Sequence, residues 1–251
     1  MKKDCKILVT KNGPFMVSGN LPLAKEIAVV GSDGNPTKWK RGEKYPEKDN
    51  YALCRCGKSC NKPFCDGTHI KINFDGTETA SKKKYIEKAD KISGPDLDLT
   101  DSQDLCSAAR FCHRSGGTWN LTKNSDNPKS KEIAIQEACD CPSGRLVCWD
   151  KKTGKPTEPK FEPSIGLIED PGANVSGPLW VKGRIPIESA DGSRYEIRNR
   201  VTLCRCGESR NKPFCDGYHI EAEFRNDNNN DKGRSKKIKV VKKNNSIQSK
   251  F

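Results

Sequence analysis

The run CRCGKSCNKPFCDGTHI, from Cys54 to Ile70, returns 150 positions later as CRCGESRNKPFCDGYHI, from Cys204 to Ile220, with fourteen of its seventeen positions identical. Three thiols and one imidazole recur at fixed offsets: Cys54, Cys56, Cys65 and His69, then Cys204, Cys206, Cys215 and His219. Two copies that keep the same four donors answer to one geometric demand. A four-ligand metal centre is the simplest such demand.

The rest of the composition leaves room for it. Over 251 residues the hydrophobic content is 33% and the mean hydropathy is −0.84, so apolar cores are modest and metal binding can contribute folding free energy that burial does not. Thirteen cysteines suit disulfides as well as ligands. The stretch MKKDCKILVT carries no long apolar segment, which predicts neither a signal peptide nor a membrane span and points to a reducing, cytoplasmic compartment where clustered cysteines are ligands. The net charge of +13 owes eight lysines and arginines to residues 232–251, which contain no acid. That Lys/Asn/Ser-rich end reads as a basic, disordered tail over 226–251 rather than a nucleic-acid surface.

The repeat extends beyond the ligands, since GPFMVSGNLPL (Gly13 to Leu23) aligns with GPLWVKGRIPI (Gly177 to Ile187). From that glycine to the first cysteine the copies span 41 and 27 positions, so the first holds a 14-residue insertion around SDGNPTKWKRGEKYPEKDN. Short β-type runs at Ile7 to Thr10, Leu179 to Lys182 and Arg194 to Ile197, broken by Asn12-Gly13 and Asp191-Gly192, predict small β-rich modules. Residues 81–100 read as a charged linker. A helix is expected from Asp101 to Phe111 with Ser102 at its N-cap, and a second from Pro128 to Ala138, stopped by Pro142 and Gly144. The expected organisation is a first module over 1–80, the linker 81–100, a middle domain over 101–175 and a second module over 176–225. The fold class is α+β.

Extended backbone at CRC places both thiols on one side at a period of two. Where Asp66-Gly67 or Asp216-Gly217 opens a helix, Cys and His four positions apart share a face, near a positive helix N-terminus. Pro63 and Pro213 stiffen the joining loops. Cys60, replaced by Arg210 in the second copy, reads as a bystander thiol, as does Cys5.

CxC, eight residues, then CDGxH resembles the CDGSH iron-sulfur domain, the family of mitoNEET, with Tyr218 in a position that the family reserves for a small residue. The resemblance implies a 2Fe-2S cluster at each motif. One iron would sit on Cys54 and Cys56 and the other on Cys65 and His69, with Cys204, Cys206, Cys215 and His219 matching them in the second copy. Two motifs without an anchor look like the soluble two-motif members. The middle cysteines, Cys106, Cys112, Cys139, Cys141 and Cys148, with CDCPSG resemble the divergent single-cluster ferredoxin-like domain. That implies a 4Fe-4S or 3Fe-4S cluster on Cys106, Cys112, Cys139 and Cys141, Cys148 being set aside because it lies in an apolar LVCW run.

Neutral imidazole in place of a thiolate makes a cluster less negative and raises its potential, and protonation of the ring releases the metal, so acid lability is expected. His113 beside Cys112 reads as a surface or supporting residue. No Ser-His-Asp order, P-loop or GxGxxG run is present, which argues against hydrolytic or nucleotide chemistry. The expectation is an electron or cluster carrier, not an enzyme. It would serve a redox or cluster-acceptor protein, as a monomer whose two modules pack as a pseudo-symmetric pair. The rival reading is a Cys3His zinc protein that binds nucleic acid or protein.

Overall fold

The computed structural model describes residues 5–226, so the expected tail lies, from residue 227 onward, outside the described residues. The first repeat forms β1 (Lys6–Val9), β2 (Phe15–Ser18), β3 (Leu23–Val30), β4 (Pro36–Lys44) and β5 (Asn50–Leu53). Two one-turn helices follow, α1 (Thr68–Lys71) and α2 (Tyr85–Lys88). The middle region contains β6 (Asp90–Ser93), β7 (Leu97–Asp101), α3 (Thr118–Lys123), α4 (Pro128–Asp140), β8 (Leu146–Asp150) and β9 (Lys155–Thr157). The second repeat supplies β10 (Ser164–Asp170), β11 (Val175–Lys182), β12 (Ile187–Glu188) and β13 (Arg200–Leu203). The described residues are mostly β, with three sheets and few helices, and no helix among them is long and apolar enough to cross a membrane.

The two repeats exchange strands. One sheet has the order β12-β1-β2-β5, the other β13-β11-β10-β3-β4. In the first, β12 of the second repeat lies parallel to β1, with Ile7 opposite Ile187. In the second, β3 of the first repeat lies parallel to β10, with Ile165 opposite Leu23. Leu23 and Ile187 are equivalent positions of the repeat, so the exchange is reciprocal about a pseudo-twofold axis. Each copy closes an edge of the other, which removes unpaired backbone groups from both. The alternating inward residues then build one core: Ile7, Val9, Phe15 and Leu53 pack with Ile165, Leu167, Leu179 and Leu203 in a single buried cluster. Module pairing is therefore a matter of shared sheets as well as of contact.

The insertion in the first repeat has a use. It forms β4, the edge strand beside β3, and carries Trp39 against Phe111 (4.6 Å between ring centroids) and Trp180 (5.0 Å), with the indole N–H donating to the Asp140 carbonyl at 3.0 Å. The middle region docks through it. That region is an antiparallel sheet in the order β6-β7-β8-β9, covered by α3 and α4, with Leu97, Leu99, Leu121, Ala134, Ala138, Leu146 and Cys148 as its core. Helix α4 starts where its sequence says it should. Pro128 occupies the first turn, and Asn127 Oδ1 accepts from the Lys129 and Ser130 amides at 2.9 and 3.2 Å. Its C-terminal end is tied by a residue of β13: the guanidinium of Arg200, 1% exposed, donates to the carbonyls of Ala138 (2.9 Å), Cys141 (2.8 Å) and Leu146 (3.2 Å) and pairs with Glu158.

Three local expectations are corrected. The stretch 81–100 is no unstructured linker, because it contains α2, β6 and most of β7, and buries Tyr85 under a bond to Thr100. No α-helix runs from Asp101 to Phe111: two 3-10 turns, Gln103–Leu105 and Phe111–His113, flank an irregular loop in which Ala108 (φ 54°) and Arg110 (φ 62°) adopt left-handed conformations that end any helix. Ser102 precedes the first turn without a capping bond to its backbone, its hydroxyl donating instead to Asp104. Arg194 to Ile197 makes only the isolated bridge Glu188–Arg194, since the chain leaves the short β12 at once.

Candidate metal centres

Each ligand run is a closed loop hung on the end of a sheet strand. After β5, the Cys54 amide donates to the Pro63 carbonyl (2.8 Å) and the Cys65 amide to the Ala52 carbonyl (2.9 Å), so the CRC limb and the CDG limb lie side by side. After β13 the same bonds recur, Cys204 to Pro213 and Cys215 to Thr202, both 2.9 Å. Asp66 fastens the turn by accepting from the amides of Cys60 (2.8 Å) and Thr68 (3.0 Å), and the bond from Thr68 holds its carboxyl low, at about 2. Asp216 accepts likewise from Arg210 (2.8 Å) and Tyr218 (3.1 Å), so the bulky Tyr218 keeps the turn that Thr68 makes. The expected helix start is only one turn in the first copy and a run of turns in the second, too short for a summed helix dipole.

The donors arrive in pairs. Cys54 and Cys56 sulfurs lie 3.7 Å apart, Cys204 and Cys206 3.6 Å, and Cys65 and Cys215 each lie 3.4 Å from the Nδ1 of His69 and His219. Among the described residues no three His, Cys, Asp or Glu side chains converge as they would around a single ion. A thiol–thiol hydrogen bond in each CxC pair lowers Cys54 and Cys204, while the same bond and burial push Cys56 and Cys206 up. Burial, with the Arg205 charge nearby, lowers His219 to about 4, which keeps its imidazole neutral and able to coordinate.

Two residues that the ligand pattern conceals complete the sites. Arg55 and Arg205, between the thiols of each CRC, are 1% and 3% exposed. Arg55 donates to the carbonyls of Gly13 (2.7 Å), Gly76 (2.7 Å) and Thr10 (2.8 Å). Arg205 donates to Gly177 (2.6 Å) and Ile168 (2.7 Å), and to the side chains of Asn226 and Glu169, both at 2.9 Å. Each fixes its loop to the neighbouring backbone, and the Arg205 charge is close enough to act on His219. Their signal in the sequence was the recurrence of arginine inside both CRC triplets. The loops also touch across the pseudo-twofold: a side chain on Gly57 (φ 74°) would collide with the Cys206 carbonyl, and one on Gly207 (φ 89°) would come within 2.6 Å of the Cys56 carbonyl.

The middle cysteines divide. Cys106, Cys112 and Cys141 line one small cavity together with Arg110 and Arg145. Burial, reinforced by Cys141, pushes the Cys112 thiol up to about 12. Burial opposes the charge on Arg145, yet its pairing with Asp101 (2.5 Å) and the neighbouring Cys106 hold it protonated. Cys139 is not among the lining residues: its thiol faces the Thr157 carbonyl at 3.7 Å, and Cys148, fully buried on β8, faces the Ala134 carbonyl at 3.6 Å. Cys139 belongs to the last turn of α4, whereas Cys141 follows it, so the two thiols of CDC leave the helix end in different directions. His113 packs against Trp119, centroids 5.2 Å apart.

The donor sets fit iron-sulfur groups: two thiol or thiol-imidazole pairs suit a two-metal cluster, and three thiols facing two arginines suit an anionic one. Residues 12–70 and 176–220 match the family described as iron-binding zinc finger CDGSH type, and residues 92–151 match the divergent 4Fe-4S mono-cluster family. No curated protein and no solved structure matches the chain. The chain therefore carries two iron-binding CDGSH-type domains flanking a divergent 4Fe-4S mono-cluster domain, and it is an iron-sulfur protein.

Proposed function

We propose that the protein carries a 2Fe-2S cluster on each CDGSH motif and a third cluster in the middle region, and acts in electron transfer or in cluster storage and delivery to a protein partner. The observation that carries this reading is the twice-repeated pairing of donors, Cys with Cys and Cys with His, at 3.4–3.7 Å. It supports two metals per motif over a mononuclear Cys3His zinc site, where all four donors meet at one ion. Bound clusters would supply one-electron chemistry. The chain supplies the thiolates, the buried cations Arg55 and Arg205 that offset negative charge, and imidazoles whose Nδ1 faces the cysteine. Nε2 of His69 lies on the Gly13 side. For the middle cavity, Cys106, Cys112 and Cys141 are the proposed ligands; three thiols satisfy a 3Fe-4S cluster, or a 4Fe-4S cluster with one position left to another donor.

Protein purified without oxygen is expected to be coloured and to contain iron and acid-labile sulfide in excess of zinc. A colourless zinc protein would replace this reading with the zinc one. His69→Cys is expected to lower the potential at the first motif on the order of a hundred millivolts and to make that site persist to lower pH, because the ligand that accepts a proton has gone. Unchanged potential and acid stability in that variant, read by redox titration and visible absorption, would remove the role given to the imidazole.

A further inference from the structure

The two CDGSH motifs share ligands but not surroundings. Cys65 and His69 are half-buried, while Cys215 and His219 are 2% and 4% exposed. The difference has a local origin in the loop between the 3-10 turns of the middle region. A side chain on Gly217 would meet Ala108 Cβ at 3.2 Å and the Cys106 carbonyl at 3.3 Å, whereas one on Gly67 would meet nothing within 4 Å among the described residues. Asn211 reaches the same region, donating to the Asp104 carbonyl at 2.7 Å. Ile70, next to His69, is 72% exposed, while its counterpart Ile220 is half-buried.

The loop is anchored for this position. Arg110 donates to both carboxylate oxygens of Asp170, at 2.8 and 2.9 Å, and Asp170, at the end of β10, is 4% exposed. The left-handed conformations of Ala108 and Arg110 curl the chain so that Cys106 stays at the middle cavity while Ala108 covers Gly217. One strap thus serves the middle cavity on one side and closes the second CDGSH site on the other.

We infer that the middle region's loop seals the second CDGSH centre, making it the retained one, and leaves the first as the centre that exchanges its metal with chelators and acceptors. This rests on the cluster-carrying reading above and adds a division of labour between the two sites. Ligand access to a buried centre requires local opening, and opening here means breaking the Arg110–Asp170 pair and lifting the loop.

The full chain, purified without oxygen and with its iron and sulfide measured, is challenged with EDTA at neutral pH and sampled by iodoacetamide alkylation and peptide mass spectrometry. Cys65, half-buried, is expected to become alkylated at least about tenfold faster than Cys215, as protection by local structure requires, with the CxC thiols, buried in both motifs, following the centre to which they belong. In Asp170→Asn the second set is expected to accelerate toward the first, with the Cys65 rate unchanged. Arg110→Gln, which breaks the pair from the other side, is read in the same way should Asp170→Asn fail to fold. Equal rates in the parent chain, or a broken pair that speeds both sites or neither, overturns the inference. Absence of sulfide at the outset overturns instead the reading on which it rests.

Discussion

Arg205→Ala is expected to destabilise the protein by about 3–5 kcal/mol, and Arg55→Ala by a similar amount, as is usual when one member of a buried, charged hydrogen-bond set is removed. The Arg205 guanidinium joins β10 and β11, and that of Arg55 joins the turn between β1 and β2 to the loop at Gly76. Without Arg55, the carbonyls of Gly13 and Gly76 lose their donor inside the protein, that of Thr10 keeps only the Gly13 amide, and the space between Phe15 and Phe74, whose rings lie 5.7 and 5.3 Å from its guanidinium carbon, is left empty. Lysine does not repair this, since a single ammonium cannot span three acceptors in the plane of the guanidinium fork. Arg55→Lys should therefore fall close to Arg55→Ala in a denaturant titration. Arg41, exposed on β4, provides the comparison: its alanine variant should stay within about 0.5 kcal/mol of the parent. Arg55→Lys behaving like the parent would mean that charge alone, not the fork, holds the ligand loop.

Removing the metal should have a larger effect still. Apart from Phe64 and Phe214, which reach the main core, the buried apolar cluster of each ligand loop holds three residues, Cys54, Cys56 and Phe74 in the first and Cys204, Cys206 and Phe224 in the second. Such clusters bury too little to order a loop of some twenty residues, so bound metal must contribute the difference, several kcal/mol and toward the ~10 kcal/mol of structural sites in small domains. Stripping iron and sulfide is expected to abolish amide protection across 54–74 and 204–224. The strands β2 and β11, which belong to the shared core, should retain theirs. Hydrogen exchange of the two forms decides it. Unchanged protection in the ligand loops would show that the backbone bonds to Pro63 and Pro213 suffice without a metal.

The pairing of the candidate donors was legible because it is local and occurs twice: Cys54 to His69 and Cys204 to His219 announce themselves by offset alone. Helix α4 was legible for a similar reason, having Pro128 at its start and a Cys-Pro break at its end. The strand exchange was not. β1 pairs with β12 and β3 with β10 across more than 140 residues, and because both repeats carry the same apolar pattern, nothing in that pattern says which copy a strand will join. The loop from Cys106 to Arg110 misread as helix because Ala-Ala-Arg favours one locally, while packing against Gly217 and the pair with Asp170 impose left-handed turns. Arg55 and Arg205 went unnoticed between two thiols each. A charge inside a repeated ligand triplet is a signal that burial alone turns into a role.

The reciprocal strand exchange also orders events during synthesis. The first ligand set is complete once His69 has been made, yet the strand that finishes its sheet, β12, ends at Glu188. At ribosomal rates the interval between them is roughly ten seconds. Throughout that time the nascent first repeat presents finished donors on an unfinished scaffold, so iron held on a completed sheet must await synthesis of the second repeat through Glu188, and the ribosome sets the earliest moment at which the first motif can be stably loaded.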